Sequence, residues 1–182
     1  MIQQLTTYGF TKGYFPFTKN ELETLKHIAS QATVLDKQQR KNIFSVFPEV
    51  RTLFQRAIDD SPLDLILSDY CFFIEKTVDQ NWPLLFHRDI NLPDYMNIPK
   101  DQREDFLKKC IMCRLNLDTS DETTGALKVI PGSHIDKNGE ERFINTDEGE
   151  VIFFKPLLLH GSNKMTKPHT RRVFQALCIE KN

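Results

Sequence analysis

Residues 81–93, "NWPLLFHRDINLP", end an apolar run that includes Leu84, Leu85 and Phe86 with a short polar interruption, His87, Arg88 and Asp89. The run has the composition of a strand, where successive side chains point to opposite faces. His87 and Asp89 therefore share a face and Arg88 takes the other, which sets an imidazole nitrogen beside a carboxylate oxygen. Two such donors are two-thirds of a metal site, and the other imidazoles are His27, His134, His160 and His169. His160 closes a second apolar run, "EVIFFKPLLLH" (150–160). Two histidines and one carboxylate occupy one face of an octahedral Fe(II) and leave positions open for substrates and oxygen. Taken by itself an H-x-D is more often a hydrogen-bonded pair in a loop; the weight lies in the joint pattern.

Eleven residues after His160, Arg171 opens "RRVFQALC", and strand alternation puts Arg171, Val173, Gln175 and Leu177 on one face. Arginine binds carboxylates bidentately, so an arginine after the last metal ligand suits a dicarboxylate cosubstrate. Arg172 is its rival and takes the opposite face. Further strand-like runs are "YCFFIEKT" (70–77), "CIMCRLNLD" (110–118) and "ALKVIPGS" (126–133), which with the three above make six or more strands. In "CIMC", Cys110 and Cys113 sit three apart and so on opposite faces of a strand, which predicts buried thiols and not a chelating or redox pair. Asn116, on the same strand face as Arg114, is a candidate for the cosubstrate pocket.

Helical signals come earlier in the chain. Thr18 and Glu21 are spaced as a capping box ahead of Leu22, Leu25, Ile28, Ala29 and Ala32, which predicts a helix over 19–33. Behind Pro48, the stripe Val50, Leu53, Phe54, Ala57 and Ile58 predicts another. "SPLDLILS" (61–68) reads as a further short helix, 101–108 as one more, and "IDKNGEERFINTDEGE" (135–150) as a polar connection. The expected fold class is mainly β with N-terminal helices. One domain spans 1–182, with a helical layer over 1–69 packed on an antiparallel sandwich or barrel over 70–180, for which a jelly roll is a common arrangement.

The 182 residues carry 24 basic and 25 acidic side chains, mixed along the chain, for a net charge of −1. That balance gives no electrostatic footprint for nucleic acid or an anionic membrane. No apolar run is long enough for a bilayer, and "MIQQLTTYGFTKGYF" lacks the pattern of a signal peptide, so a cytoplasmic location is expected. Oligomeric state leaves no trace in these patterns.

"EKTVDQNWPLLFHRD", "RLNLDTSDETTGALKVIPGSH" and "PLLLHGSNKMTKPHTRRVFQ", in this order, resemble the phytanoyl-CoA dioxygenase family of Fe(II)- and 2-oxoglutarate-dependent oxygenases over about residues 70–180. The resemblance implies a double-stranded β-helix of the jelly-roll, cupin-like type with helices packed on one sheet. It implies His87, Asp89 and His160 as iron ligands, Arg171 as partner of the distal carboxylate of 2-oxoglutarate, and Ser162 as a further donor to it. His134, within "PGSH", is implied to be no ligand, with a structural or pocket-edge role. The activity implied is hydroxylation of an unactivated C–H of a small-molecule substrate with O2, releasing succinate and CO2, and Asp89 stands where related halogenases bind halide in place of a carboxylate. Only 20 residues (90–109) separate H-x-D from the next core strand, a short stretch for the lid that an acyl-CoA substrate needs. A cupin-like metalloenzyme without 2-oxoglutarate, and a non-catalytic jelly-roll binding module, are the alternatives; the first would not need Arg171.

Overall fold

A computed structural model describes residues 2–136 and 139–181 of the chain. Among these residues the strands are β1 (Phe10–Tyr14), β2 (Leu65–Lys76), β3 (Leu84–His87), β4 (Cys110–Asn116), β5 (Leu127–Val129), β6 (Arg142–Ile144), β7 (Glu150–Phe154), β8 (His160–Ser162) and β9 (Arg171–Glu180). All neighbours pair antiparallel, in a five-stranded sheet ordered β1-β7-β4-β9-β2 and a four-stranded sheet ordered β3-β8-β5-β6. The helices are α1 (Ile2–Tyr8), α2 (Lys19–Ala32), α3 (Lys37–Arg40), α4 (Ile43–Val46), α5 (Pro48–Asp59) and α6 (Arg103–Lys108).

The five-stranded sheet is covered on both faces. Ile111, Cys113 and Leu115 of β4 join Phe73, Phe174 and Phe153 in a core shared with Leu25, Ile28, Phe54 and Ile58 of α2 and α5. The alternate residues Cys110 and Met112 face a second core with Phe154, Leu177, Leu127 and Val129, which lies between the two sheets. This is a jelly roll with helices on one sheet. The two sulfurs of the C-x-x-C fall in different cores, and all four cysteines are buried and free.

The helix signals are borne out where capping chemistry is explicit. Thr18 Oγ1 accepts from Glu21 N at 3.3 Å and Glu21 Oε2 accepts from Thr18 N at 2.7 Å, so each side chain satisfies a backbone donor that the first turn leaves unpaired. Pro48 takes the first position of α5, where its missing N–H costs nothing. "SPLDLILS" is corrected: residues 61–63 turn and Leu65 starts β2, because Leu65 and Leu67 pack under α4 and α5 against β9. "EVIFFKPLLLH" is two strands in different sheets, separated at Lys155–Leu159, where Pro156 has no N–H for a ladder. The polar stretch 135–150 contains β6, whose three residues are too few to show periodicity, and Lys137 and Asn138 within it lie outside the described residues. No described helix is long and apolar enough to cross a membrane.

Candidate active site

The four-stranded sheet brings the distant histidines together. His87 on β3 stands opposite His160 on β8, with ring centroids 4.3 Å apart. Asp89 follows β3, and its N–H donates to Pro156 O at 2.9 Å, which fixes the turn beyond the strand. Asp89 Oδ1 lies 3.4 Å from His87 Nε2 and Oδ2 3.5 Å from His160 Nε2. The three residues offer ligand atoms that all lie within 4.8 Å of one another, a spacing suited to one ion.

The backbone sets the tautomers. His87 Nδ1 is 3.0 Å from Leu85 O and His160 Nδ1 is 2.8 Å from Leu158 O. A carbonyl can only accept, so each Nδ1 carries the hydrogen and each Nε2 is left as the donor to a metal. Burial alone would raise the Asp89 carboxyl, but when His160 and His87 also carry a proton on Nε2 their charge and hydrogen bonds hold it well below the usual carboxylate range.

Gly161 makes the strand pairing possible. A Cβ there would sit 2.5 Å from Leu84 O, so only glycine lets β3 close onto β8 beside the two imidazoles. Arg88 points away from the site, as alternation requires. It donates through Nε to Leu157 O at 2.8 Å and through Nη2 to Ser133 O at 3.0 Å, pinning the turn that leads into His160.

The triad opens on a cavity of about 110 Å³ between the sheets, lined also by Lys76, Arg114, Ser162, Arg171 and Gln175, with Trp82 and Leu84 at its mouth. Lys76, Arg114 and Arg171 are each at most 3% exposed, and Asp89 is the one carboxylate among the residues lining the cavity. Burial brings the Lys76 ammonium down to about 8, with Arg171 and Arg114 adding to the effect. Burial also brings Arg171 down to about 10. The Nε atoms of both arginines are buried and unpartnered. Isolated buried charges are costly, so this wall is built to meet an anion.

Arg171 and Arg172 separate as the strand predicts. Arg171 faces the cavity and donates to Gly125 O, whereas Arg172 sits on the other face, with Nε and Nη2 on Asp118 at 3.0 and 2.7 Å. Ser162 lines the cavity and accepts from Lys76 Nζ at 3.0 Å. Asn116 does not line it, because its amide donates to Arg114 O and Glu150 O. His134 lies near Thr6 O, 3.2 Å away, and His169 near Thr119 O, 2.8 Å away, both outside the triad, as is His27 on the exposed face of α2.

Lys76, Arg114 and Gln175 complete the cavity wall; alternation places the last two on the faces of Asn116 and Arg171 but gives neither a role. Lys76 ends β2 directly opposite Arg171, a like-charged cross-strand pair that structure alone would disfavour. Arg114 Nη1 donates to Gln175 Oε1 at 2.9 Å, and Gln175 Nε2 donates to Asp89 Oδ2 at 3.2 Å, a relay from one sheet to the carboxylate on the other. The register of β2 and β4 against β9 is the signal that finds them.

No curated protein sequence matches the chain. Among solved structures it is similar to EvdMO1 (17% identity, TM-score 0.70), covering 100% of this chain but only 49% of that one. It is similar to AviO1 from Streptomyces viridochromogenes Tue57 (16% identity, TM-score 0.67, 98% and 93% covered). It is also similar to HygX from Streptomyces hygroscopicus, solved with nickel and 2-oxoglutarate (13% identity, TM-score 0.72, 99% and 86% covered). At these identities the likeness establishes the fold. The family model of phytanoyl-CoA dioxygenase matches residues 16–173, most of the chain and both halves of the cavity, and the chain belongs to that family.

Proposed function

We propose that the chain is an Fe(II)- and 2-oxoglutarate-dependent dioxygenase that hydroxylates an unactivated C–H of a small molecule. The carrying observation is the cavity itself, a two-histidine, one-carboxylate cluster on one sheet facing three buried, under-neutralised cations on the other. The donor set fits Fe(II), and the cationic wall fits a dicarboxylate that reaches the metal with one end. HygX, of the same fold, was solved with 2-oxoglutarate, and EctD from S. alaskensis with bound Fe.

In this reading His87, Asp89 and His160 hold the iron through both Nε2 atoms and a carboxylate oxygen. Arg171 offers its planar fork to the distal carboxylate of 2-oxoglutarate, and Lys76 adds a compact charge beside it. Because Lys76 donates to Ser162 Oγ, the serine hydroxyl hydrogen is free to donate to the same carboxylate. Arg114 fixes the amide of Gln175, which fixes Asp89, so the ligand geometry is set before anything binds. Trp82 and Leu84 shield the mouth from water. When bound, iron and 2-oxoglutarate supply the oxidising chemistry, in which O2 is consumed, succinate and CO2 leave, and one oxygen atom enters the substrate. The presence of Asp89 supports hydroxylation over halogenation, since the carboxylate occupies the position a halide would need.

The test is an anaerobic visible spectrum with Fe(II), before and after 2-oxoglutarate. We expect a weak charge-transfer band that needs both, is lost in His160→Ala, and requires far more cosubstrate in Arg171→Glu. Iron binding with no band at any cosubstrate concentration would favour a cupin-like enzyme, and a band unaffected by Arg171→Glu would remove the arginine from its role.

A further inference from the structure

Outside the metal cavity, but sharing a wall with it, a groove of about 400 Å³ runs along the free edge of β2. Phe72, Ile74 and Trp82 line both spaces, so the apolar wall of the cavity mouth is also the floor of the groove. The far end is formed by Lys37, Arg40 and Lys41, at i, i+3 and i+4 along α3 and its C-terminal cap. Three cations on one helical face repel one another, which costs stability in a helix of only four residues. Their local complement is small. Asp36 is occupied as the α3 cap, its carboxylate accepting from Gln38 N and Gln39 N. Glu75 is buried and lies 3.8 Å from Arg40, which is also tied to Leu35 O. Lys37 and Lys41 are exposed, and neither side chain has an ionic or hydrogen-bonding partner among the described residues.

We propose that this groove binds the primary substrate, and that the substrate is an organic anion. Its apolar body lies on Phe72, Ile74 and Trp82, and its acid group reaches Lys37 and Lys41. The proposal rests on the iron and 2-oxoglutarate reading for what happens next: Phe72, Ile74 and Trp82 also line the cavity that holds the triad, so an apolar body on them lies beside that cavity. The cavity supports the sign independently. Three buried cations and Fe(II) carry five positive charges, against three negative from Asp89 and the two carboxylates of 2-oxoglutarate. The loaded site keeps a positive field that draws an anion in and turns a cation away. A local rule broken on α3 and a surplus of like charge inside thus point to the same ligand chemistry.

Trp82 is the only tryptophan of the chain and stands in the groove, so it reports occupancy directly. The probes are anilinonaphthalene sulfonate, an aromatic anion, and N-phenylnaphthylamine, the same body without charge. Both are titrated into the intact protein, with energy transfer from Trp82 as the readout. The expected result is saturable transfer to the sulfonate, about tenfold tighter than the amine, with that advantage abolished in Lys37→Glu/Lys41→Glu and reduced by salt. Both lysines are on the surface, and circular dichroism checks that the variant is folded. Equal binding of the two probes, or sulfonate binding indifferent to the charge reversal, overturns the proposal. The Fe(II)–2-oxoglutarate band, recorded on the same samples, is separate. If it forms while the probes fail to discriminate, the groove is wrong and the metal site stands; if the probes discriminate and no band forms, the fault lies in the metal reading.

Discussion

Lys76 and Arg171 face each other on adjacent strands, both almost fully buried, and each gains if an acid settles there. Lys76 is held at about 8, so it is largely charged below that value and loses its proton above it. A carboxylate beside it restores the charged form, which means that binding takes up a proton. Cosubstrate affinity is therefore full on the acid side of about pH 8 and declines as pH rises through that value; a Lys76→Met variant should bind more weakly at every pH and lose most of the slope. Titrating the charge-transfer band across that interval measures both. Gln175→Leu removes the donor to Asp89 and strands Arg114, and should weaken iron binding by roughly 10- to 100-fold, read by metal titration of the apoprotein. The triad was legible because His87 and Asp89 are two residues apart and His160 closes a recognisable run. Lys76 was not, and alternation gave Gln175 a face but no role, since what gives them meaning is a strand register with partners far along the chain. Asn116 shows the converse: its strand face was right, but two backbone carbonyls claim the amide.

The same contrast between local and remote causes holds for whole elements. A 14-residue helix such as α2 carries its own start signal and several turns of pattern, so it could be read directly. Strands of three residues such as β6 and β8 carry neither, and exist because a neighbour offers its unpaired groups. The run 150–160 shows what pattern misses, as an unbroken apolar composition serves two sheets and the turn between them. The pairing of β3 with β8 depends on backbone contact, so Gly161→Ala should push the strands apart, cost about 1–3 kcal/mol, and abolish stoichiometric metal binding. Thr18→Ala, at a residue that does not line the cavity, is the control. It removes one half of the capping box, should cost about 1 kcal/mol in denaturant unfolding, and should leave the metal titration unaltered.

For the molecule as a whole, the division of labour between the sheets matters most. His87, His160 and Ser162 belong to the four-stranded sheet, with Asp89 just beyond it, while Lys76, Arg114, Arg171 and Gln175 belong to the five-stranded one. Ligands that favour the folded state raise its stability by mass action. Iron with 2-oxoglutarate at about a hundred times its dissociation constant should add about 2.7 kcal/mol, visible as a rise of several degrees in the melting temperature. The two partners should differ in kind as well as in amount. In the proposed reading iron alone would be held by one plate of the sandwich, whereas a two-headed acid gripped by metal at one end and by Arg171 at the other would be a rivet through both. Amide exchange across the seam beside β3 and β8 should then slow little with iron and sharply once the acid follows, so that the order of loading is also the order in which the sandwich stiffens.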